Sequence, residues 1–154
     1  IALTGPTHPS AITDAAWSAA GDRICTGCVD GVVRVWDAAG AVVAASKPAV
    51  NPVTGAISQI YSARFSPDGT RLAAASHDGI LRVFEAESGE LLAESADLED
   101  GVFHAVWVPG QPGGGVIATA WSVGRMRLFD GGTGKMLREV VTPGALNFVA
   151  ASPD

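Results

Sequence analysis

Reactive side chains are scarce in this chain. Its 154 residues include two cysteines, three histidines and one tyrosine, and aromatic residues make up 6%. No apolar run approaches the roughly 18–20 residues that span a bilayer, so no membrane span is expected. The first ten residues, IALTGPTHPS, hold no basic segment leading into an apolar one and do not read as a secretory signal. They also lack an initiating methionine, and the C-terminus stops at ASPD inside a phrase used earlier, so a piece of a longer chain is expected. Ten basic residues face sixteen acidic ones, for a net charge of −6. The basic residues form no cluster, and nucleic acids and anionic membranes bind through concentrated positive patches, so neither is expected as a partner.

The cysteines, Cys25 and Cys28, form a C-x-x-C in RICTGCVD. That spacing suits a redox pair or half a zinc site, but no second cysteine pair and no histidine pair stands near to complete four ligands. The sequence therefore reads as two small residues of a strand, with no metal and no cofactor expected. Two free thiols fit a reducing, intracellular setting, cytoplasmic or nuclear.

What the chain does have is a repeated phrase. GVVRVWD (31–37), GILRVFE (79–85) and GRMRLFD (124–130) share the form Gly-x-x-Arg-x-aromatic-acid. Trp36 to Phe84 is 48 residues and Phe84 to Phe129 is 45. A fixed interval of this size marks a repeat architecture, in which each unit buries its faces against its neighbours. Three of the four tryptophans, Trp17, Trp36 and Trp107, fall at repeat-equivalent places, and 47% hydrophobic residues supply enough material for a core.

Each unit contains four short apolar runs. In the second they are SQIYSARFS (58–66), RLAAAS (71–76), ILRVFE (80–85) and ELLAES (90–95). The breaks PDG (67–69) and HDG (77–79) carry the Asp, Gly and Pro of tight turns, so the runs read as strands joined in antiparallel hairpins. No segment sustains helical periodicity. Ile60 and Phe65 differ in parity, as do Val33 and Trp36, and this is read as strands with two apolar faces, each sheet lying between two others. The segments 46–55 and 109–115 read as surface loops.

With these phrases in place the sequence resembles the WD-repeat family of β-propellers, built from four-stranded blades. The family pattern is a Gly-His near the start, an aromatic-Ser-Pro-Asp-Gly after the innermost strand, an Asp before the third strand and Trp-Asp at its end. FSPDG (65–69), Asp30, Asp78 and Trp36-Asp37 stand at those places. The resemblance implies an all-β fold, an incomplete β-propeller of four-stranded antiparallel blades. The expected units are the end of a preceding blade and linker (1–10), blades at 11–46, 56–95 and 98–140, and the innermost strand of a following blade at 145–154. The whole parent would hold about seven or eight blades, within the usual range of four to eight. The resemblance also implies a hydrogen-bonded network within the first blade, made of His8, Thr26, Asp30 and Trp36. A buried Asp needs donors, and a His, a hydroxyl and an indole N–H supply them. The second unit has Ala56, Ala74 and Phe84 at the matching places, and the third has Leu98 and Val123, so only one network is complete.

No catalytic residue is expected. His8 has the structural role just given, and Ser76, His77 and Asp78 are consecutive, whereas a triad is assembled in space. His104 and Arg64 stand with Asp14 on innermost strands that are otherwise mostly Ala and Val. GGTGKML (131–137) lacks the hydroxyl after its Lys that a phosphate-binding loop requires, and it aligns with an ordinary hairpin turn, AESGELL (86–92). The acidic stretch from Glu85 to Asp100 reads as a solvated hairpin. Arg34, Arg82 and Arg127 recur two residues before the aromatic and read as structural groups between blades, stacking on an aromatic ring or donating to carbonyls.

The function implied by the resemblance is a non-enzymatic scaffold, within a larger complex, that presents loops to protein or peptide partners. Contacts are expected at the entrance of the innermost strand and the turn before the blade's Asp: Asp14, Ser58, Gln59, His77, Asp100 and Ser122. The other reading is a targeting or regulatory propeller of a larger enzyme whose catalytic domain lies outside this chain. Three blades cannot close a ring, so self-association through open blade faces is also expected.

Overall fold

A computed structural model of the chain describes residues 10–95, 101–110 and 115–152. It holds twelve strands and, among those residues, no helix. The strands are β1 (Ile12–Trp17), β2 (Arg23–Cys28), β3 (Arg34–Asp37), β4 (Val42–Ala45), β5 (Ile60–Phe65), β6 (Arg71–Ser76), β7 (Leu81–Glu85), β8 (Leu91–Glu94), β9 (Val102–Val108), β10 (Val116–Trp121), β11 (Arg125–Asp130) and β12 (Met136–Val141). They form three four-stranded antiparallel sheets, each a simple meander in sequence order. The fold is all-β, as expected, and the sheets do not close on themselves.

Glycine fixes the hairpins. The turns before the third strand of each sheet place Gly31, Gly79 and Gly124 at φ of 77°, 76° and 72°, where a side chain is strained. Their amides donate to Cys28, Ser76 and Trp121 carbonyls respectively, so the three turns share one backbone form.

Between the sheets lie two cores. One joins Cys25, Val33 and Val35 of the first sheet to Ile60, Ala63, Phe65, Leu72, Ala74 and Phe84 of the second. The other joins Ala73, Ala75, Leu81 and Val83 of the second sheet to Val102, Ala105, Trp107, Ile117, Trp121 and Phe129 of the third. Leu72 and Ala74 face one core while Ala73 and Ala75 face the other, so the second sheet is apolar on both sides. That explains why β6 reads as a continuous run with no polar face.

The parity of Ile60 and Phe65 has a different cause from the one expected. Both lie in the same core, because each innermost strand carries one extra residue. Ile12 pairs with Cys28 but Asp14 with Gly27, Ile60 with Ser76 but Ser62 with Ala75, and His104 with Ala120 but Val102 with Trp121. The odd residues are Thr13, Tyr61 and Phe103. Such a bulge flips the alternation and turns one side chain out of line.

The repeat-equivalent aromatics show what a neighbour does. Phe65 is 9% exposed and Trp107 4%, whereas Trp17, whose sheet has no described sheet before it, is 59% exposed. On the third sheet Met136, Leu137 and Val141 are likewise exposed. Residues 145–152, expected to start a fourth unit, form no strand, and among the described residues no second strand stands beside them to pair with. Leu146 instead donates its amide to the Trp121 carbonyl, and the Phe148 ring lies 4.1 Å from that of His104.

Candidate functional site

Antiparallel order brings the start of each innermost strand and the turn before each third strand to the same end of the sheets. The two are tied by an equivalent hydrogen bond in each sheet. Val29 N donates to Ala11 O (3.0 Å), His77 N to Gln59 O (2.9 Å) and Ser122 N to Gly101 O (3.4 Å).

Of the expected contact residues, Gln59 and His77 are exposed and adjacent at this end, and Ser122 is half-buried on the neighbouring sheet. Ser58 is buried, and its hydroxyl accepts the Asp78 amide (2.9 Å). Asp14 is engaged by the second sheet: its carboxylate accepts the Ala63 amide (3.0 Å) and pairs with the Arg64 guanidinium. Asp100 lies outside the described residues, as does His8.

The bulges place two aromatics among these residues. Tyr61 lies edge-on to His77, with centroids 5.8 Å apart, and 5.6 Å from Phe103 of the third sheet. Tyr61 and Phe103 are both half-buried. Gln59, His77, Tyr61 and Phe103 thus make one mixed polar and aromatic patch across two sheets. Sequence reasoning missed Tyr61 and Phe103; the signal was the broken parity of SQIYSARFS, which marks a bulge.

Asp14, Ser62 and His104 each stand three residues before the strand's aromatic; Asp14 and Ser62 address the next sheet, whereas His104 reaches back to the second. Asp14 accepts from Ala63 N, and Ser62 Oγ accepts from Ala105 N (3.5 Å). His104 Nε2 meets Arg64 Nη2 (3.1 Å), while its buried Nδ1 has no hydrogen-bond partner of good geometry among the described residues. Burial first and the Arg64 charge second hold the His104 pKa below its ordinary value, with Asp14 and the Val149 backbone opposing.

Within the first sheet, Trp36 Nε1 donates to Thr26 Oγ1 (2.9 Å), so two of the four expected network residues meet. Asp30 accepts the Val32 amide (3.0 Å) and both terminal nitrogens of Arg34 (3.3 and 2.8 Å). In the second sheet Asp78 accepts from Ser76 Oγ (2.7 Å), Ile80 N (3.2 Å) and Arg82 Nη1 and Nη2 (3.2 and 2.7 Å). Burial raises the Asp78 pKa, but the Arg82 and Ser76 hydrogen bonds more than offset it and the carboxyl ends below its usual range. The recurring arginines are therefore chiefly partners of their own sheet. Arg82 also donates to Val50 O (3.1 Å) in the connection between sheets. Arg127 stacks at 4.1 Å on Trp121 of its own sheet and donates through Nε to Glu139 (2.6 Å).

The other signals have structural explanations. Cys25 and Cys28 are free, buried thiols; burial pushes the Cys25 pKa up to about 12. In the β11–β12 turn the Asp130 carboxylate accepts the Gly132 and Thr133 amides (3.0 and 2.8 Å), which a phosphate would otherwise need. Among the described residues no three His, Cys, Asp or Glu side chains gather as a metal site, and no helix is long and apolar enough to cross a membrane.

Three meandering four-stranded sheets packed face to face, without closure, are the blades of an incomplete propeller. The family described as WD domain, G-beta repeat matches residues 2–37 and 51–85. The chain belongs to the WD-repeat family, and its third sheet repeats the same architecture beyond the matched residues. No curated protein matches the chain. WD repeats are commonly interaction scaffolds, and their propellers are generally non-catalytic.

Proposed function

We propose that this chain is a non-enzymatic scaffold that presents the entrance end of its blades to a protein or peptide partner. The observation that carries this reading is the patch of Gln59, His77, Tyr61 and Phe103. Bulges aim its two aromatics out of the strand alternation, and two blades packed through a common core hold it in place. Rigid aromatics beside exposed polar groups suit protein contacts, because a ring brings a large area at low entropy cost. Thr13, the bulge residue of the first blade, is used up: its hydroxyl donates to the Ile60 carbonyl.

The test is partner capture with the intact chain, followed by alanine substitution. Tyr61→Ala, His77→Ala and Phe103→Ala each weaken binding by about tenfold or more, the cost of a central aromatic contact. Glu87→Ala and Glu90→Ala on the outer hairpin leave it unchanged. Equal loss from both groups, or from neither, would remove the patch from the interface.

A further inference from the structure

The three blades hold the arginine of this register in three ways, and the third way is incomplete. Arg34 has both carboxylate oxygens of Asp30. Arg82 has both oxygens of Asp78, the Ser76 hydroxyl (2.7 Å) and, through Nε, Glu94 at 3.7 Å. Arg127 stands at the same register, yet Val123 replaces the turn Asp and Trp121 replaces the serine. Its Nε reaches Glu139, its side chain is buried, and Nη1 has no hydrogen-bond partner among the described residues. A buried guanidinium N–H without an acceptor is costly and rare in a native fold.

The backbone around the vacancy is unchanged. Gly124 has the φ of Gly31 and Gly79 and makes the same turn bond, so the Val123 Cβ stands where the Asp30 and Asp78 side chains begin. Val123 itself is 48% exposed, at the same end of the sheets as the aromatic patch. From this geometry we infer that the third blade is a carboxylate receptor: an acidic side chain of a protein partner inserts beside Val123 and accepts from Arg127 Nη1, where the other blades use their own Asp. The nearby charges favour this despite the acidic chain as a whole. Among the described residues Arg125 and Arg127 share a single carboxylate, Glu139, at 3.2 and 2.6 Å. The inference builds on the reading that partners dock at this end, and its test separates the two.

The test uses the whole chain with ¹⁵N-labelled arginine and three blocked probes. They are acetyl-Gly-Glu-Gly-amide, acetyl-Gly-Gln-Gly-amide and acetyl-Gly-Gly with a free C-terminal carboxylate. The Glu probe gives a saturable shift of the Arg127 side-chain resonance and the Gln probe none. Val123→Asp then supplies the carboxylate from within: it raises Tm by about 3–6 °C and weakens the Glu probe at least tenfold. Because the substitution lies in an exposed turn and adds an acceptor, a folding failure would itself contradict the vacancy. An unchanged or lower Tm, no saturable shift, or a shift that survives Val123→Asp overturns the site. Tighter binding of the free-acid probe overturns the side-chain assignment in favour of a chain terminus. Partner capture that depends on Tyr61 and Phe103 but not on Arg127 defeats this inference and leaves the scaffold reading intact.

Discussion

Asp78→Asn isolates the pair that locks the central blade. The Asp78 side chain is 2% exposed and that of Arg82 5%, and four hydrogen bonds converge on the carboxylate. The substitution keeps the shape but removes the charge. Arg82 is left with the Ser76 hydroxyl, the Val50 carbonyl and a Glu94 oxygen at 3.7 Å. Breaking one side of a buried pair costs about 3–5 kcal/mol, and the retained contacts place this case near the lower end, at about 3 kcal/mol. Asp30→Asn is the internal control. The Asp30–Arg34 pair is more open, with side chains 24% and 14% exposed, so water replaces part of the loss and about 1 kcal/mol is expected. Urea unfolding followed by tryptophan fluorescence measures both. Adding Arg82→Met to Asp78→Asn recovers most of the loss, since an apolar group of similar length carries no unpaired charge. If Asp78→Asn cost no more than Asp30→Asn, burial would not be what decides the strength of these pairs.

Three further outcomes follow from the packing. Gly89→Ala costs at least about 2 kcal/mol, because φ is +74° and a Cβ would lie 2.3 Å from the Ala45 carbonyl oxygen, whereas Gly21→Ala, at φ +72° in open space, costs about 1 kcal/mol. Equal thermal shifts for the two would refute the contact. The depressed His104 pKa makes the folded chain bind this proton at lower pH than the unfolded chain does. Its stabilisation is full above about pH 6.5 and is lost as pH falls from there through the folded value. The fall in Tm between pH 7 and 5.5 is therefore steeper than in His104→Gln, and parallel curves would rule the effect out. Cys25, with its pKa pushed up to about 12, resists iodoacetamide at pH 8 in the folded chain and reacts in urea; rapid labelling of the native thiol would show it to be open.

The repeat was legible because packing between blades leaves a periodic trace. Gly at each positive-φ turn, Arg at each register position and an aromatic two residues on are demanded by backbone form and by burial. The contact surface was less legible. Asp14 and Ser58 sit where partner contacts were expected, yet in this chain Arg64 and the Asp78 amide take them. Pairing across 50 and 20 residues depends on which group the neighbouring blade, or the facing turn of the same blade, happens to offer, and no local spacing encodes that. Tyr61 and Phe103 were hidden by the opposite fault: one inserted residue reverses the alternation, and a bulge and a two-faced strand leave the same mark in a string of letters.

The variation among the blades is itself constrained. Among the described residues, the carboxylate for the arginine comes from the turn in the first, from the turn and the fourth strand in the second, and from the fourth strand in the third. Val123 is tolerated because Glu139 sits directly across from Arg127 in the β11–β12 ladder and makes up part of the missing turn carboxylate. Glu94 holds the same place opposite Arg82, where Asp78 makes it dispensable. Glu139→Gln should then destabilise the fold more than Glu94→Gln does, as it strips a 5%-exposed arginine side chain of its only charged partner among the described residues, whereas Arg82 keeps Asp78. In a Val123→Asp background the Glu139→Gln loss shrinks toward the Glu94→Gln value. If urea unfolding gave equal losses in both backgrounds, the turn and the fourth strand would not be interchangeable sources of charge, and the third blade's departure from the repeat would need another cause.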